Sequence, residues 1–322
     1  MDEFGFIAKY LSGLAGREAL DLKDDAAVWT PPKGYDAVIS MDTLVEGVHF
    51  PDEKFDRQIA HKLVAVNVSD LTAKGADPIG YFMSLTLRKD ISENELRDFC
   101  DGLAAAQSLY GLKLWGGDTT RGGDKNVLSI TIIGTVPNGQ TVTRAGAQIG
   151  DVLCVTGTIV DSYLGLQRVL GSDAGSQVDA SCVHVYHEPN PPFALRHTIR
   201  AYAHGAVDVS DGLLADAGHL AQASGVAIDI SLAEIPLSAA ATTWRDGLDN
   251  QQDALIKLAT GGDDYQTLMA VPPANLELLQ AQAKKTQTQL KVIGLVKKGA
   301  GVRCLDTQGR EVQVYKQGYT HF

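Results

Sequence analysis

The chain has 322 residues, and 28 Lys and Arg against 39 Asp and Glu give it a formal net charge of −11. This acidic balance argues against a nucleic-acid backbone as the main partner. A hydrophobic share of 44% and a charged share of 21% describe an ordinary folded globule, and the length predicts about two domains.

The first half alternates helical and strand patterns and ends at a turn signal, Pro137-Asn138-Gly139. Hydrophobic spacing predicts helices over 3–14, 57–73 and 93–110 and strands over 37–41, 79–87, 113–115 and 127–136.

The second half also mixes helices and strands, which predicts an α/β or α+β chain in two domains, 1–145 and 146–322. Its predicted strands are 151–156, 226–230, 265–271, 290–296 and 301–305, and its predicted helices are 162–170, 193–204, 213–223 and 274–285. Residues 66–70 and 207–211 share Val-x-Val-Ser-Asp, a match too short to establish a duplication.

Location is predicted from the N-terminus, the apolar runs and the cysteines. The start, Met-Asp-Glu-Phe, lacks the pattern of a signal peptide, and no run approaches the roughly 20 apolar residues of a membrane helix. The four cysteines, Cys100, Cys154, Cys182 and Cys304, form no Cys-x-x-Cys pair, so a reduced cytoplasmic setting with buried thiols is expected.

The common nucleotide and zinc motifs are missing. The chain has no Walker loop, no Gly-x-Gly-x-x-Gly after a strand and no His-Glu-x-x-His. His184 and His187 have the spacing of a ligand pair, but without a nearby third ligand a structural role is favoured. We find no nucleophilic triad.

Aspartate remains as the residue that can carry chemistry, because 29 of the acidic residues are Asp and only 10 are Glu. Asp is favoured at helix N-caps, in turns and as a ligand of hard cations. Any one Asp is more often a cap or turn residue, but several recur beside glycine or hydroxyl residues, as in the turn predicted at 116–120. Oxygen ligands suit Mg²⁺, Mn²⁺ or Ca²⁺. Glycines, which have no side chain, let a phosphate come close to backbone N–H groups. The sequence therefore predicts a Mg²⁺-dependent enzyme that handles a polyphosphate without a P-loop.

Six motifs, in order and spacing, resemble the thiamine-monophosphate kinase family, within a superfamily that includes aminoimidazole-ribonucleotide synthetase and selenophosphate synthetase. The resemblance covers about residues 2–322. The motifs are Asp-Asp-Ala-Ala-Val (24–28), Ser-x-Asp-Thr-Leu-Val-x-Gly-x-His-Phe (40–50), Asn-x-Ser-Asp-Leu-x-Ala-x-Gly-Ala-x-Pro (67–78), Gly-Gly-Asp-Thr-Thr (116–120), Asp-x-Ser-Asp-Gly-Leu (208–213) and Gly-Gly-x-Asp-Tyr (261–265).

The resemblance implies a two-domain ATP-binding fold. Domain 1–145 would bind ATP and Mg²⁺ and form a homodimer through its sheet or barrel, and domain 146–322 would complete the nucleotide and substrate site. The implied reaction is Mg²⁺-dependent in-line transfer of the ATP γ-phosphoryl group to thiamine phosphate, giving thiamine diphosphate and ADP. Several Mg²⁺ ions are implied, K⁺ is a further candidate, and neither nucleic acid nor a membrane is an expected partner.

The resemblance also assigns residues, with no catalytic base among them because metal ions and positioning carry the reaction. The metal set is Asp25, Ser40, Met41 (through its carbonyl), Asp42, Asp70, Asp118, Asp208 and Asp211. The ATP set is Tyr110, Gly117, Asp118, Arg144 and Ser210, and the substrate set is His49, Asp263 and Tyr319. Tyr110 and Tyr319 could equally be packed aromatics, Arg144 a surface residue and His49 structural.

Three departures from the family pattern bear on the site. Lys23 replaces a usual glycine, Met41 a usual threonine and Asp263 a usual glutamate. These departures keep open a non-catalytic nucleotide- or metal-binding homologue. Another ATP-dependent enzyme of the superfamily is the second alternative, although no Cys precedes Cys100 as selenophosphate synthetase would require.

Overall fold

The chain is described by a computed structural model that covers residues 3–52, 54–172, 175, 177–314 and 318. It divides into two compact units. The N-terminal unit comprises Met1–Leu71 and Ala76–Gln140, and the C-terminal unit comprises Thr72–Gly75 and Thr141–Phe322.

The N-terminal unit is built on a four-stranded sheet in the order β1-β4-β2-β3, in which only β2 and β3 are parallel. Its strands are β1 (Tyr35–Val45), β2 (Asp77–Leu87), β3 (Lys113–Arg121) and β4 (Val127–Pro137), and its helices are α1 (Glu3–Phe6), α2 (Arg57–Ala73) and α3 (Glu93–Tyr110). Short irregular helical turns, Ile7–Leu11, Ser12–Leu14 and Arg17–Leu22, follow α1.

Both long helices of this unit begin at polar caps. The Asp56 carboxylate accepts the N–H groups of Gln58 and Ile59 at the start of α2. Ser92 and Glu95 form a capping box at the start of α3, which ends at the left-handed Gly111. Such caps stabilise a helix by about 1 kcal/mol each and explain why both helices begin where the sequence predicts.

One face of this sheet is covered by helices and the other is open. Residues alternate along β1, so Ile39 and Met41 are 62% and 64% exposed. Met41 pairs with Thr131 of β4, and Thr131 pairs with Phe82 of β2, which places these three side chains in one row. We call the surface of Ile39, Met41, Thr131 and Phe82 the open face.

The C-terminal unit contains a seven-stranded mixed sheet in the order β11-β10-β7-β9-β5-β8-β6. Its strands are β5 (Val152–Thr156), β6 (Gly205–Val209), β7 (Ala227–Ser231), β8 (Gln266–Val271), β9 (Leu290–Lys297), β10 (Gly301–Leu305) and β11 (Glu311–Val312). Its helices are α4 (Asp161–Val169), α5 (Ala180–His187), α6 (Arg196–Tyr202), α7 (Leu213–Ser224), α8 (Ala239–Asp246), α9 (Gln251–Ala259) and α10 (Leu276–Lys285).

Two hydrophobic clusters lie on opposite faces of this sheet. Leu153 and Val155 of β5 belong to a large cluster that also contains residues of α4, α7, α8 and α9. Cys154, which lies between them on the strand, belongs to a smaller cluster with residues of α6 and α10. The period of two along the strand therefore buries both faces.

The predicted mixed α/β fold is confirmed, and two kinds of local prediction are wrong or incomplete. The glycine turn predicted at 116–120 is part of β3, because pairing with β2 continues to Arg121 past a bulge between Tyr81 and Phe82. The predictions also miss β6, α5, α8 and α9, whose sequences are short or weakly periodic. Among the helices in the part of the chain that the structure describes, none has the length and apolar character needed to cross a bilayer.

Candidate functional site

The first group of predicted site residues lies between β1 and α2. Ser40 and Asp42 are on the side of β1 that faces α2, and the Ser40 hydroxyl donates to the Asp70 carboxylate. The main-chain N–H of Asp42 donates to Asn67 Oδ1 at 3.1 Å, and Asn67 Nδ2 donates to the Leu63 carbonyl at 2.9 Å. A fully buried amide therefore fixes the edge of β1 against α2 beside the two carboxylates.

Electrostatics make this group a candidate cation site. Burial, with the neighbouring Asp70 charge, raises the pKa of Asp42 to about 7. Within the described residues, no Lys or Arg forms an ion pair with Asp42 or Asp70. A cation bound here would stabilise both charged carboxylates, and the all-oxygen donor set fits Mg²⁺.

Met41 fits this group least well. Its side chain points to the open face, opposite to Ser40 and Asp42. Because the N–H of Asp42 points to Asn67, the Met41 carbonyl on the same trans peptide points the other way, towards β4.

The second group lines a cavity of about 260 Å³ along β3. Asp25, Gly117 and Asp118 lie on its wall, and Ile7, Leu11, Leu22, Leu114 and Trp115 form apolar parts of the lining. A Cβ atom on Gly117 would lie 1.9 Å from the carbonyl oxygen of Met83, so only glycine allows β3 to approach β2 this closely. The cavity is suited to a ligand with a polar and an apolar part.

Two other predicted site residues of this unit, Tyr110 and His49, contact neighbouring residues of the fold. Tyr110 is 4% exposed at the end of α3, its ring centroid lies 6.3 Å from that of His61, and burial raises its pKa. His49 Nδ1 accepts the N–H of Val45 at 3.0 Å, so in a neutral ring the proton is on Nε2. Neither residue lines the cavity along β3.

The C-terminal unit holds the remaining described site residues, mainly where β6 meets α7. Asp208 is buried in β6, and Ser210 and Asp211 are half-buried in the connection to α7. The Asp263 N–H donates to the Ser210 carbonyl at 2.8 Å, and the Tyr265 hydroxyl donates to Asp263 Oδ1 at 3.0 Å. The structure therefore brings Ser210, predicted for ATP, next to Asp263, predicted for the substrate.

Arg144 is exposed in the short helical turn Arg144–Gly146, and its carbonyl accepts the Ser224 hydroxyl at 2.7 Å. Tyr319 lies outside the residues that the structure describes.

Sequence reasoning does not assign roles to four residues that the structure places at these sites. These four are Asn67, Asp216, His219 and Asp264. Asn67 Oδ1 accepts the Asp42 N–H of β1, and Asp216 accepts hydrogen bonds from the Ser210–Gly212 backbone. Ligand atoms of Asp211, Asp216 and His219 all lie within 4.8 Å of one another. Asp264 is buried beside Asp263. Both of its carboxylate oxygens accept the N–H of Val160, the residue before α4. The sequence does contain a sign of the role of Asp216. A glycine at the start of a helix has no side chain to cap it, and an Asp four residues later can take over this function.

The class of protein follows from two domain matches. Residues 23–136 match the family described as AIR synthase related protein, N-terminal domain, and residues 148–306 match the corresponding C-terminal domain. Structures of the hydrogenase maturation protein HypE share the fold, as for the E. coli protein with a TM-score of 0.80 and 19% identity over 99% of this chain and 98% of that one. The chain is thus an AIR synthase related protein with the two-domain α/β fold of that class.

Full-length relatives narrow this class. The thiamine-monophosphate kinase of Caulobacter vibrioides is 39% identical over 99% of this chain and 90% of its own length, and that of Escherichia coli K12 is 36% identical over 99% and 98%. A crystal structure of the Stenotrophomonas maltophilia K279a kinase matches with a TM-score of 0.83 and 35% identity, covering 97% and 98% of the two chains. AaThiL complexed with AMPPCP and TMP matches with a TM-score of 0.77 and 29% identity, covering 99% and 97%. The chain belongs to the thiamine-monophosphate kinase family.

Proposed function

We propose that this chain transfers the γ-phosphoryl group of ATP to thiamine phosphate, giving thiamine diphosphate and ADP, in the presence of Mg²⁺. The observation that carries the proposal is the oxygen-only group of Ser40, Asp42 and Asp70, which fits a hard divalent cation in a chain similar along its whole length to these kinases. The AaThiL complex with AMPPCP and TMP supports the same pair of ligands.

The chemistry of the acceptor means that the reaction does not need a general base. A phosphate monoester is largely deprotonated at neutral pH, so its oxygen can attack without losing a proton to the protein. The main obstacle is repulsion between two polyanions, which is about 4 kcal/mol for each pair of unit charges 4 Å apart at an effective dielectric constant of 20. Ser40, Asp42 and Asp70 would hold Mg²⁺, which would neutralise part of this charge and polarise the transferred phosphoryl group.

The residues of the chain position the reactants and their ions. In the N-terminal unit, Asp42 on β1 and Asp70 on α2 offer neighbouring carboxylates, and Asp25 and Asp118 offer exposed ones around the β3 cavity. Gly117 keeps that wall free of a side chain.

In the C-terminal unit, Asp208, Asp211 and Ser210 are proposed for metal and ATP, and Arg144 supplies a guanidinium suited to phosphate. His49, Asp263 and Tyr319 remain the proposed substrate residues, and Tyr110 remains proposed for ATP. The Met41 carbonyl points towards β4. Met41 can be a metal ligand only if this carbonyl turns away from β4.

We further propose a homodimer in the cytoplasm. The open face supports the dimer, because a contiguous apolar surface on a sheet is typical of an interface. The cysteines Cys100, Cys154, Cys182 and Cys304 are all buried and unpaired, as expected in a reducing compartment. Nucleic acid and anionic membranes are not proposed as partners, because a net charge of −11 opposes binding to either.

The test is direct. The purified chain would be incubated with ATP, Mg²⁺ and thiamine phosphate, and thiamine diphosphate would be separated by chromatography. We expect product that depends on Mg²⁺, with K⁺ varied as a second ion. Absence of product across the range of both ions would reject the kinase, and nucleotide binding without turnover would favour a non-catalytic homologue.

A further inference from the structure

The connection between β6 and α7 has an unusual helix start. Gly212 stands at the N-cap position of α7 with φ +123°, and no side chain caps the helix there. A Cβ atom on Gly212 would lie 2.9 Å from the Thr260 carbonyl oxygen, so the position excludes the serine or aspartate that usually caps a helix. The N–H groups of the residues that lead into the helix, Ser210 to Gly212, therefore need an acceptor other than an N-cap side chain.

Asp216, one turn into α7, satisfies them. Its Oδ2 atom accepts the main-chain N–H groups of Ser210, Asp211 and Gly212 at 3.0, 3.1 and 3.2 Å. The residue is 1% exposed, and its own N–H donates to the Gly212 carbonyl at 3.0 Å. Three successive N–H groups that converge on one point form a nest for an acceptor, and here the acceptor is the side-chain oxygen of Asp216.

This arrangement limits how Ser210 can bind a ligand. Its N–H is used by Asp216 and its carbonyl accepts the Asp263 N–H at 2.8 Å. A Cβ atom on Gly262 would lie 2.3 Å from the same carbonyl, so the two connections are in close contact. Because the N–H is already used, the hydroxyl is the donor of Ser210 that remains for a phosphate oxygen.

We propose that Asp216 is a positioning residue, which fixes the Ser210–Gly212 turn so that the Ser210 hydroxyl and the Asp211 carboxylate are presented to Mg²⁺ and ATP. The proposal rests on the proposed function and deepens it. Asp216 does not itself have to touch the substrates.

The experiment compares Asp216→Asn and Asp216→Ala with the wild type. The asparagine keeps an oxygen acceptor of nearly the same shape, and the alanine removes the acceptor. We expect Asp216→Ala to raise the Mg²⁺ concentration for half-maximal rate and the KM for ATP at least tenfold, with a change of less than threefold in the KM for thiamine phosphate. Asp216→Asn should recover a large part of this loss.

The matched control is Asp229→Asn. Asp229 is a buried carboxylate of the same unit that pairs with Arg303 through two contacts of 2.7 Å, away from the β6–α7 connection in the sheet order. It should lower the thermal midpoint without changing the Mg²⁺ requirement. An unchanged Mg²⁺ requirement and ATP KM in folded Asp216→Ala would overturn the proposal.

A second measurement separates this proposal from the kinase itself. Titration calorimetry with a non-hydrolysable ATP analogue and Mg²⁺ needs no turnover. Weaker analogue binding by Asp216→Ala would support the positioning role even if the wild type made no thiamine diphosphate. Equal binding by both proteins would contradict the role whatever the outcome of the kinase assay.

Discussion

At the scale of single residues, Asp42, a proposed metal ligand, differs from an ordinary buried carboxyl. Burial beside Asp70 makes its charge unfavourable, while the Asn67 amide holds the strand in place. Such an arrangement destabilises the ion-free site and strengthens attraction for a cation. The carboxylate therefore serves binding more than folding.

We expect Asp42→Asn to lower the turnover number at least 100-fold with the fold intact, which corresponds to about 2.7 kcal/mol of lost transition-state stabilisation. Steady-state kinetics at saturating Mg²⁺ would measure the turnover number, and a circular dichroism spectrum would check that the fold is intact. The control is Asp36→Asn on the same strand, because the Asp36 carboxylate accepts hydrogen bonds from the turn residues Asn138 and Gly139, away from Asp42. Near-normal turnover of Asp42→Asn would remove Asp42 from the metal site.

Asp264 gives a prediction on pH and stability. Burial raises its pKa well above the ordinary range, while both carboxylate oxygens accept the Val160 N–H at 2.8 and 2.9 Å. Above about pH 4 the unfolded state releases this proton and the folded state keeps it, so the stabilising contribution of Asp264 decreases as pH rises. The stability difference between wild type and Asp264→Asn should therefore shrink between pH 5 and pH 8.

Thermal unfolding of both proteins at several pH values would measure this difference. Asp98→Asn is the control of opposite sign, because a hydrogen bond from Arg57 lowers the pKa of Asp98. Its stabilising contribution is lost only as pH falls to that lowered value, so it should stay constant between pH 5 and pH 8. A pH-independent difference for Asp264→Asn would show that its carboxyl ionises normally in the fold.

At the scale of elements, the same five-residue pattern occurs in two different structures. Residues 66–70 lie within α2, and residues 207–211 run from β6 into a turn. In α2 the asparagine bonds to a strand and the aspartate to Ser40. The shared pattern therefore does not mark a duplicated element.

The pairing of β3 with β2 depends on Gly117 and leads to a second prediction. A methyl group at this position would meet the Met83 carbonyl at 1.9 Å, so Gly117→Ala must displace β3 and the wall of the cavity. We expect at least tenfold weaker binding of an ATP analogue by calorimetry. Gly122→Ala is the matched control, since nothing lies within 4 Å of its added Cβ. Equal binding by the two variants would show that this wall does not contact the nucleotide.

At the scale of the whole molecule, the open face predicts association of two copies. Ile39 and Met41 are more than 60% exposed on a regular strand, although apolar side chains of this size are usually buried. A charge in the centre of such an interface is costly because it would be desolvated without a partner.

We expect the wild type to sediment as a dimer at micromolar concentration and Ile39→Asp to sediment as a monomer. Leu278→Asp is the control, because Leu278 is 51% exposed on α10 of the other unit and outside the open face. A monomeric wild type, or a dimeric Ile39→Asp variant, would reject this interface.

Long amphipathic elements were predictable from the sequence because their period and caps are local. Helices α2 and α3 have the predicted bounds, and β2, β4 and β9 differ by only one or two residues. Short elements were predicted unevenly. The five-residue strands β5, β7 and β10 lie within one residue of their predicted bounds, whereas β6 and α5 were missed because their few apolar residues show no clear period. The start of β3 was predicted at 113–115, and its second half was missed because the glycines suggest a turn where only pairing with β2 imposes a strand.

The sequence by itself determined the reaction class, because the order of its Asp, Gly and hydroxyl motifs resembles one kinase family and oxygen ligands imply a hard cation. Only the tertiary structure decided which atoms can act. It directs Ser40 and Asp42 to α2 and Met41 to the open face, and it assigns Asp216 to the Ser210–Gly212 backbone. The physical reason is that the side of a strand and the direction of an N–H depend on pairing between distant segments, which no local pattern records.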